Sequence, residues 1–123
     1  MSVAITPAAT SSKILITGVT YWGNVSGDVL TRIHRSVGNT RVGTGADQDS
    51  RTASGTGGSI RNTYELVSHP FNFLDSPSTT SAITYKLQVF IGSAAYMNRS
   101  TDDANNVNAE RTSSTITVME IKG

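Results

Sequence analysis

The two histidines, His34 and His69, are the side chains best suited to acid–base chemistry in this chain. With a serine and an aspartate, either could complete a nucleophilic triad. The sequence has no Gly-x-Ser-x-Gly segment to expose such a serine, and every serine motif lies in a Ser/Thr-rich turn. The histidines also fall on separate predicted strands. We therefore predict that the protein is not an enzyme.

Oxygen ligands for a hard cation occur in two loop segments, Asp47-Gln-Asp49 and Asp102-Asp103-Ala-Asn105. Neither has the spaced acidic ligands and the final glutamate of a calcium-binding EF-hand loop. Asp and Asn are common in turns because their side chains bond to the nearby backbone. We interpret both segments as solvated turns and predict no metal and no other cofactor.

Glycines are concentrated in the middle of the chain, as a phosphate-binding loop would require. Such a loop also needs a Gly-Lys-Ser/Thr sequence at the start of a helix, and both the lysine and the helix are missing here. We interpret the glycines as sources of loop flexibility; they are Gly43, Gly45, Gly55, Gly57 and Gly58.

Aromatic and arginine side chains near turns are the remaining candidates for binding. Trp22, beside Tyr21, and Tyr96 could each stack on a sugar ring, although aromatic residues more often lie in cores and subunit contacts. Arg51 and Arg99 lie in two long polar segments, from 43 to 62 and from 99 to 114. We keep Trp22, Arg51, Tyr96 and Arg99 as possible ligand or partner contacts.

Composition limits the classes of partner. The 123 residues are a single-domain length, and the net charge is +1 with arginines scattered along the chain, so we predict one domain over 1–123 and no nucleic-acid partner. There is no cysteine. No window approaches a membrane span and no cleaved signal is evident, so we expect no membrane insertion.

The clearest secondary-structure signal lies between residues 83 and 91. Its apolar residues fall on every second position, which is the period of a half-buried strand. A polar turn with Pro77 precedes it, and Phe90 adds a large ring to the other face. We predict the central strand here, with its far end covered on both sides by a neighbouring sheet or subunit.

Other strands are predicted around residues 3–5, 13–21, 40–43, 64–73, 96 and 115–121. Residues 28–35 fit either a short helix or a strand, and we choose the strand because a turn and a short return follow. Pro70 indicates a bulge or an edge position. About eight short strands, two long polar loops and no clear helix predict an all-β protein, an antiparallel β-sandwich or jelly roll.

Three predicted strands, 13–21, 82–91 and 115–121, carry apolar residues on both faces. The last of them is therefore typical of an interior strand. A sandwich of this size has one interior, so the second apolar set needs a partner surface. We predict a subunit interface formed by Phe90, Met119, Ile121 and Tyr85.

Several segments together resemble a virion structural module that recurs in tailed bacteriophages. They are Ile-Thr-Pro (5–7), Thr-Ser-Ser-Lys-Ile-Leu-Ile (10–16), Thr-Arg-Val-Gly-Thr-Gly (40–45) with Ser50-Arg51, Leu-Asp-Ser-Pro-Ser-Thr-Thr-Ser-Ala-Ile-Thr-Tyr (74–85), Asn-Arg-Ser (98–100) and Ser-Thr-Ile-Thr-Val-Met-Glu-Ile (114–121). The resemblance covers nearly the whole chain. It implies a small jelly roll, related in shape to tumour necrosis factor and complement C1q, that assembles as a homotrimer and has no catalytic motif.

The resemblance also implies a location on the virion. Because the chain begins at Met1 without a fibre shaft, we expect a capsid decoration or head-spike protein that contacts other virion proteins, such as the major capsid or tail protein. A tail-fibre tip that binds a host surface glycan through its loops is the alternative, and a free carbohydrate-binding module is the alternative from another class. In a bacterial virus the Asn-x-Ser sequences at 24–26 and 98–100 are expected to be chance matches to the glycosylation signal.

Overall fold

The computed structural model describes residues 1–24 and 27–123. Val25 and Ser26, which belong to the first Asn-x-Ser sequence, lie outside the described residues. The described part of the chain forms nine β-strands and one short 3-10 turn, Val37–Asn39. The strands are β1 (Ser2–Ile5), β2 (Lys13–Asn24), β3 (Gly27–Arg35), β4 (Thr40–Val42), β5 (Thr56–Ile60), β6 (Val67–Asp75), β7 (Ile83–Ile91), β8 (Ala95–Met97) and β9 (Thr115–Ile121).

Two antiparallel sheets pack face to face. In sheet A the order is β1-β7-β3, and β4 and β5 follow one another along the far side of β3. In sheet B, β6 lies on one side of β2, while β9 and β8 follow one another along the other. Strand β1 lies beside β9 and β5 beside β6, so the sheets meet along both edges. The predicted antiparallel β-sandwich is confirmed, and the jelly-roll winding stays a prediction.

Alternation along each strand decides which side chains fill the interior. The main cluster joins inward residues of both sheets, and its most enclosed members are Ile14, Ile16, Ile83 and Tyr85, each 0% exposed. A second cluster around Trp22, Val29 and Ile60 fills the end where β2 finishes. These two clusters are the core that holds the outward-facing surfaces in place.

The ambiguous segment from 28 to 35 is a strand, as predicted. β3 pairs with β7 from Val29 to Arg35, and its buried residues are Val29, Thr31 and Ile33. A helix would not place these alternate residues on one face. Pro70 lies on β6, which pairs only with β2 among the described strands and keeps one register throughout. The edge position is therefore confirmed, and no bulge is needed.

Strand β5 lies within the segment that we predicted to be loop from 43 to 62. Its sequence, Thr-Gly-Gly-Ser-Ile, has few apolar residues, and for that reason no strand was predicted there. A Cβ atom on Gly57 would lie 2.4 Å from Cδ2 of Leu30, and one on Gly58 would lie 2.9 Å from Cγ1 of Val67. The glycines let β5 approach its neighbours closely, which a propensity argument does not detect.

Three further expectations are corrected. Strand β2 was expected to end at Tyr21 but continues to Asn24, because its last residues pair with β8. Strand β9 was expected to be interior, yet among the described strands of sheet B it pairs only with β2. Strand β7 lies between β1 and β3 in sheet A, but β1 pairs with its residues 83–86 and β3 with its residues 85–91, so it is central only where the two pairings overlap. Its far end has no second neighbour within the described chain.

Candidate functional site

Tyr85, which we predicted in a subunit interface, lies inside the sandwich. Its side chain is 0% exposed, and its hydroxyl donates a 2.7 Å hydrogen bond to Oδ2 of Asp75 on the opposite sheet. Asp75 also accepts hydrogen bonds of 2.8 and 2.9 Å from Nη1 of Arg35. Burial and the Asp75 carboxylate raise the pKa of Tyr85. A residue with no free surface cannot contact a partner, so we remove Tyr85 from the predicted interface.

The far end of β7 carries an exposed apolar surface, which we call the β7 patch. It consists of Val89, Phe90 and Ile91, which are 42%, 54% and 40% exposed. Phe90 points to the outer face of sheet A, opposite Leu30 on β3, whereas Val89 and Ile91 point to the other face, where their partners Thr31 and Val29 are buried. On the other side of β7, the carbonyl of Met1 accepts the amide of Leu87, and β1 does not extend further. The patch therefore coincides with a free strand edge.

A second exposed apolar surface lies on the outer face of sheet B, which we call the sheet B patch. Met119 and Leu74 flank Leu15 in register on three neighbouring strands. Met119 is 59% exposed, Leu74 is 44% exposed, and Ile121 beside them is 43% exposed. In-register side chains across a sheet form a continuous surface. The predicted interface residues Met119 and Ile121 are thus brought together.

Phe90 of the β7 patch and the sheet B patch face in opposite directions. Phe90 is on the outer face of sheet A, whereas Met119 and Ile121 are on the outer face of sheet B. The outer faces of a sandwich point away from each other. The structure therefore does not bring Phe90 together with Met119 and Ile121 within one chain, and any contact that uses all three needs at least two surfaces per subunit.

Of the two aromatic residues predicted to stack on sugars, Trp22 is enclosed and Tyr96 has one ring face covered. Trp22 is only 5% exposed, and its Nε1 donates a 3.0 Å hydrogen bond to Oγ1 of Thr20 inside the sandwich. The Tyr96 ring is covered by the guanidinium of Arg99, whose Cζ lies 4.0 Å from the ring centre. This cation–π contact occupies one ring face and holds Arg99 as well. The stacking prediction for Trp22 is therefore corrected, and that for Tyr96 stays a prediction for its other ring face.

Arg51 lies in an exposed turn within the segment between β4 and β5. Its guanidinium lies 3.7 Å from a carboxylate oxygen of Asp49, and both side chains are mostly in solvent. Nearby, the backbone amide of Ala53 donates a 2.7 Å hydrogen bond to Oδ1 of Asp47, while Arg41 donates to Oδ2. These two donors lower the pKa of Asp47. Asp47 therefore orders this segment, and Arg51 remains free to meet a partner.

The two histidines do not share a site. His34 lies on the outer face of sheet A, and its Nε2 is 2.8 Å from Oδ1 of Asn39. His69 is 1% exposed between the sheets, with Nδ1 3.4 Å from the hydroxyl of Thr31 and with Nε2 unpartnered among the described residues. Burial lowers the pKa of His69. His69 is therefore enclosed away from any substrate.

The acidic loop residues are engaged with arginines. Asp103 lies 2.6 Å from Nη2 of Arg111 and 3.9 Å from Nη1 of Arg99. Among the described residues, no three or more acidic or histidine side chains are grouped as a metal site would require. Within the same residues, no helix is long and apolar enough to cross a membrane.

A small cleft lies between the sheets where β4 ends and β5 begins. Its volume is about 160 Å³, and its walls include Ile33, Phe71 and Phe73. The hydroxyl of Thr31, also at this cleft, forms a 2.7 Å hydrogen bond with that of Thr56. The cleft is smaller than most sites for drug-sized ligands, which have volumes of roughly 300–1,000 Å³.

A larger open trough lies at one end of the sandwich, between the β5–β6 connection and the β8–β9 loop. Its volume is about 530 Å³, and it is lined by Asn62, Tyr64, Glu65, Val107, Asn108 and Glu110. We predicted Tyr64 to lie on a strand, but β6 begins at Val67 and the Tyr64 side chain is exposed. The carboxamide of Asn62 accepts a 2.9 Å hydrogen bond from the amide of Tyr64. Such an Asx-turn could have been inferred from the Asn-x-Tyr spacing.

Comparison with known protein families gave no match for this chain, and comparison with curated proteins gave none either.

Proposed function

We propose that this chain is a structural protein of a tailed-bacteriophage virion that assembles as a homotrimer and decorates the capsid. The sequence resemblance described above supports the virion and the trimer. The observation that supports assembly is the presence of two exposed apolar surfaces, the β7 patch and the sheet B patch, on one small domain. Large exposed apolar patches on soluble domains mark interaction sites.

The positions of the patches favour a head-to-tail contact over a two-fold dimer. A two-fold contact joins the same surface on both subunits, so it would cover one patch and leave the other in water. A head-to-tail contact places the β7 patch of one copy on the sheet B patch of the next. It gives a closed ring if the rotation between copies completes a circle, and an open filament if it does not. The closure to three copies is what the resemblance implies, and a ring of such contacts would cover Phe90, Met119 and Ile121 in every subunit.

The core supports a rigid role in such a particle. Tyr85, Asp75 and Arg35 link the two sheets through hydrogen bonds of 2.7 to 2.9 Å. Strand β2 runs through the centre of sheet B between β6 on one side and β8 and β9 on the other. A scaffold of this kind keeps outward patches at fixed positions, which repeated docking on a capsid lattice requires.

A tail-fibre tip is the alternative role for the same trimer, because the trough at the end of the sandwich could face a host cell. A free carbohydrate-binding module is the alternative from another class, and the exposed ring of Tyr64 in that trough favours it over enzymatic candidates. The two alternatives differ in assembly: the fibre tip is a trimer, whereas the free module is a monomer.

The virion role is tested by electron microscopy of intact particles labelled with gold-conjugated antibody against the purified chain. Label over the capsid supports decoration, and label at the distal ends of the fibres supports the tip. Particles without label, prepared alongside a positive control for a known capsid protein, would contradict the virion proposal. Binding of the purified chain to host cells separates the tip from the decoration protein.

A further inference from the structure

The trough at the end of the sandwich has walls that are fixed before any ligand arrives. The amide of Asp102 donates a 2.9 Å hydrogen bond to the carbonyl of Thr63, which joins the β8–β9 loop to the β5–β6 connection. Within the β8–β9 loop, the amide of Glu110 donates to the hydroxyl of Ser100 at 3.2 Å, and the amide of Ser100 donates to the carbonyl of Glu110 at 3.1 Å. The two walls therefore keep their separation.

Tyr64 presents a large aromatic surface in this trough. Its side chain is 43% exposed. The neighbouring Asp102 carboxylate raises the pKa of Tyr64. Its amide is bonded to Asn62. The backbone at Tyr64 is bonded to Asn62, and the loop that carries Asp102 is bonded to Thr63, so the ring stands on an ordered segment. A tyrosine ring on such a segment loses little entropy on stacking against a ligand.

Polar side chains surround that ring. Asn62, Asn108 and Glu110 are exposed, and Glu65 lies beside them half-buried. The amide of Arg61 occupies one carboxylate oxygen of Glu65 at 2.7 Å. Among the described residues, the side chains of Asn108 and Glu110 have no hydrogen-bond partner. Carboxamides both donate and accept hydrogen bonds, and carboxylates accept two or more.

We propose that this trough binds a neutral saccharide. A pyranose ring has an apolar C–H face, which fits an exposed tyrosine ring, and hydroxyls at its edge, which fit carboxamide and carboxylate groups. The two charged residues that line the trough, Glu65 and Glu110, are both acidic, which disfavours sialylated or phosphorylated ligands. The trough is formed within one chain, so this inference does not depend on the proposed trimer or on a virion location.

The experiment titrates the purified chain with a panel of neutral oligosaccharides containing glucose, galactose, mannose and N-acetylglucosamine, and with sialylated oligosaccharides. Binding is followed by isothermal calorimetry and by amide chemical shifts in two-dimensional NMR. We expect at least one neutral saccharide to bind and to shift the amides of residues 61–65 and 107–110. We expect weaker binding of the sialylated compounds.

Substitutions at two tyrosines separate stacking from general effects. Tyr64→Ala is expected to weaken binding by about tenfold or more, because the stacking surface is lost. Tyr64→Phe keeps the ring and is expected to stay within about threefold of the wild type. Tyr96→Leu is the matched control, since Arg99 already covers one face of that ring, and it is expected to bind as the wild type does. Circular dichroism checks that each variant is folded.

Three results would overturn the proposal. They are the absence of binding across the neutral panel, binding that Tyr64→Ala leaves unchanged, and a preference for sialylated over neutral compounds. A monomeric mass in solution would contradict the proposed trimer without affecting this site, so the two proposals can fail separately.

Discussion

The hydroxyl of Tyr85 donates a 2.7 Å hydrogen bond to Oδ2 of Asp75 across the interior of the sandwich. Tyr85 belongs to β7 in sheet A, and Asp75 is the last residue of β6 in sheet B. The guanidinium of Arg35, at the end of β3, forms an ion pair with the same carboxylate of Asp75. Because Tyr85 takes part in this link between the sheets, its ring lies inside the sandwich and not in a subunit interface.

Substitutions in this link are expected to lower the free energy of unfolding, and most where a charged group loses its partner. Tyr85→Phe removes one hydrogen bond and should lower the free energy of unfolding by about 1.5 kcal/mol. Asp75→Asn leaves the partly buried guanidinium of Arg35 without its counter-charge and should cost about 3 kcal/mol. Urea unfolding followed by tryptophan fluorescence measures both values.

The control for that series is the exposed pair of Arg51 and Asp49, whose side chains are 70% and 83% exposed. Arg51→Ala should change the free energy of unfolding by less than about 0.5 kcal/mol, because exposed ion pairs contribute little. Equal losses at Asp75 and Arg51 would show that the buried link has no special role.

His69 is expected to make stability depend on pH. Its pKa is lowered in the folded state because the ring is buried and no charged partner compensates. The unfolded chain, with an ordinary histidine pKa of about 6.5, therefore binds the proton first as the pH falls. Stability from this residue is complete above about pH 7.5, declines as the pH drops through about 6.5, and levels off below the folded-state pKa.

Thermal unfolding between about pH 7.5 and about pH 5 measures this dependence. His69→Gln removes the titrating group and should flatten the curve in that window. His34→Gln is the control because that ring lies on the outer face beside Asn39, and its curve should follow the wild type. A wild-type curve that His69→Gln leaves unaltered would assign the pH dependence to other groups.

Gly18 is expected to tolerate no side chain, although nothing in its sequence context marks it. A Cβ atom there would lie 2.2 Å from the carbonyl oxygen of Thr115 and 2.6 Å from Cζ of Phe71. These atoms belong to β9 and β6, the strands on either side of β2, so Gly18→Ala should cost about 2–3 kcal/mol through overpacking. Gly45→Ala is the control, because nothing lies within 4 Å of its Cβ position, and it should be near neutral. Chemical denaturation distinguishes the two, and similar midpoints would contradict the packing argument.

Strand alternation made much of the fold predictable. Residues 83–91 and 115–121 are strands because their apolar residues recur at every second position, and the predicted sandwich follows from several such runs. Strand β5 was missed because glycines at 57 and 58, which allow close packing, look like loop residues in a sequence. The close approach of β5 to its neighbours depends on tertiary contacts, so no pattern in the sequence of β5 itself indicates it.

The surface residues were harder to predict than the strands. Met119 and Ile121 are exposed as an interface requires, but Trp22 and Tyr85 are enclosed, since alternation identifies the face of a strand and not which face is covered. Tyr64 was missed because its exposure depends on the contact of Asp102 with Thr63 from a distant loop. Contacts between loops that are distant in the chain could not be predicted from a single sequence.

Charges placed in the two patches should separate the subunits. Met119→Asp and Phe90→Asp each put a carboxylate on a surface that the proposed ring buries, so each should yield monomers in light scattering. Val107→Asp is the control, because Val107 is 99% exposed and lies in neither patch, and it should keep the wild-type mass. Loss of assembly in the control alone would place the interface elsewhere.

Sedimentation equilibrium of the wild-type chain over a wide concentration range tests the central claim most directly. The account predicts a species of three times the chain mass of 13.0 kDa. A single species at 13.0 kDa up to the highest concentration, with the β7 patch and the sheet B patch left in water, would contradict it.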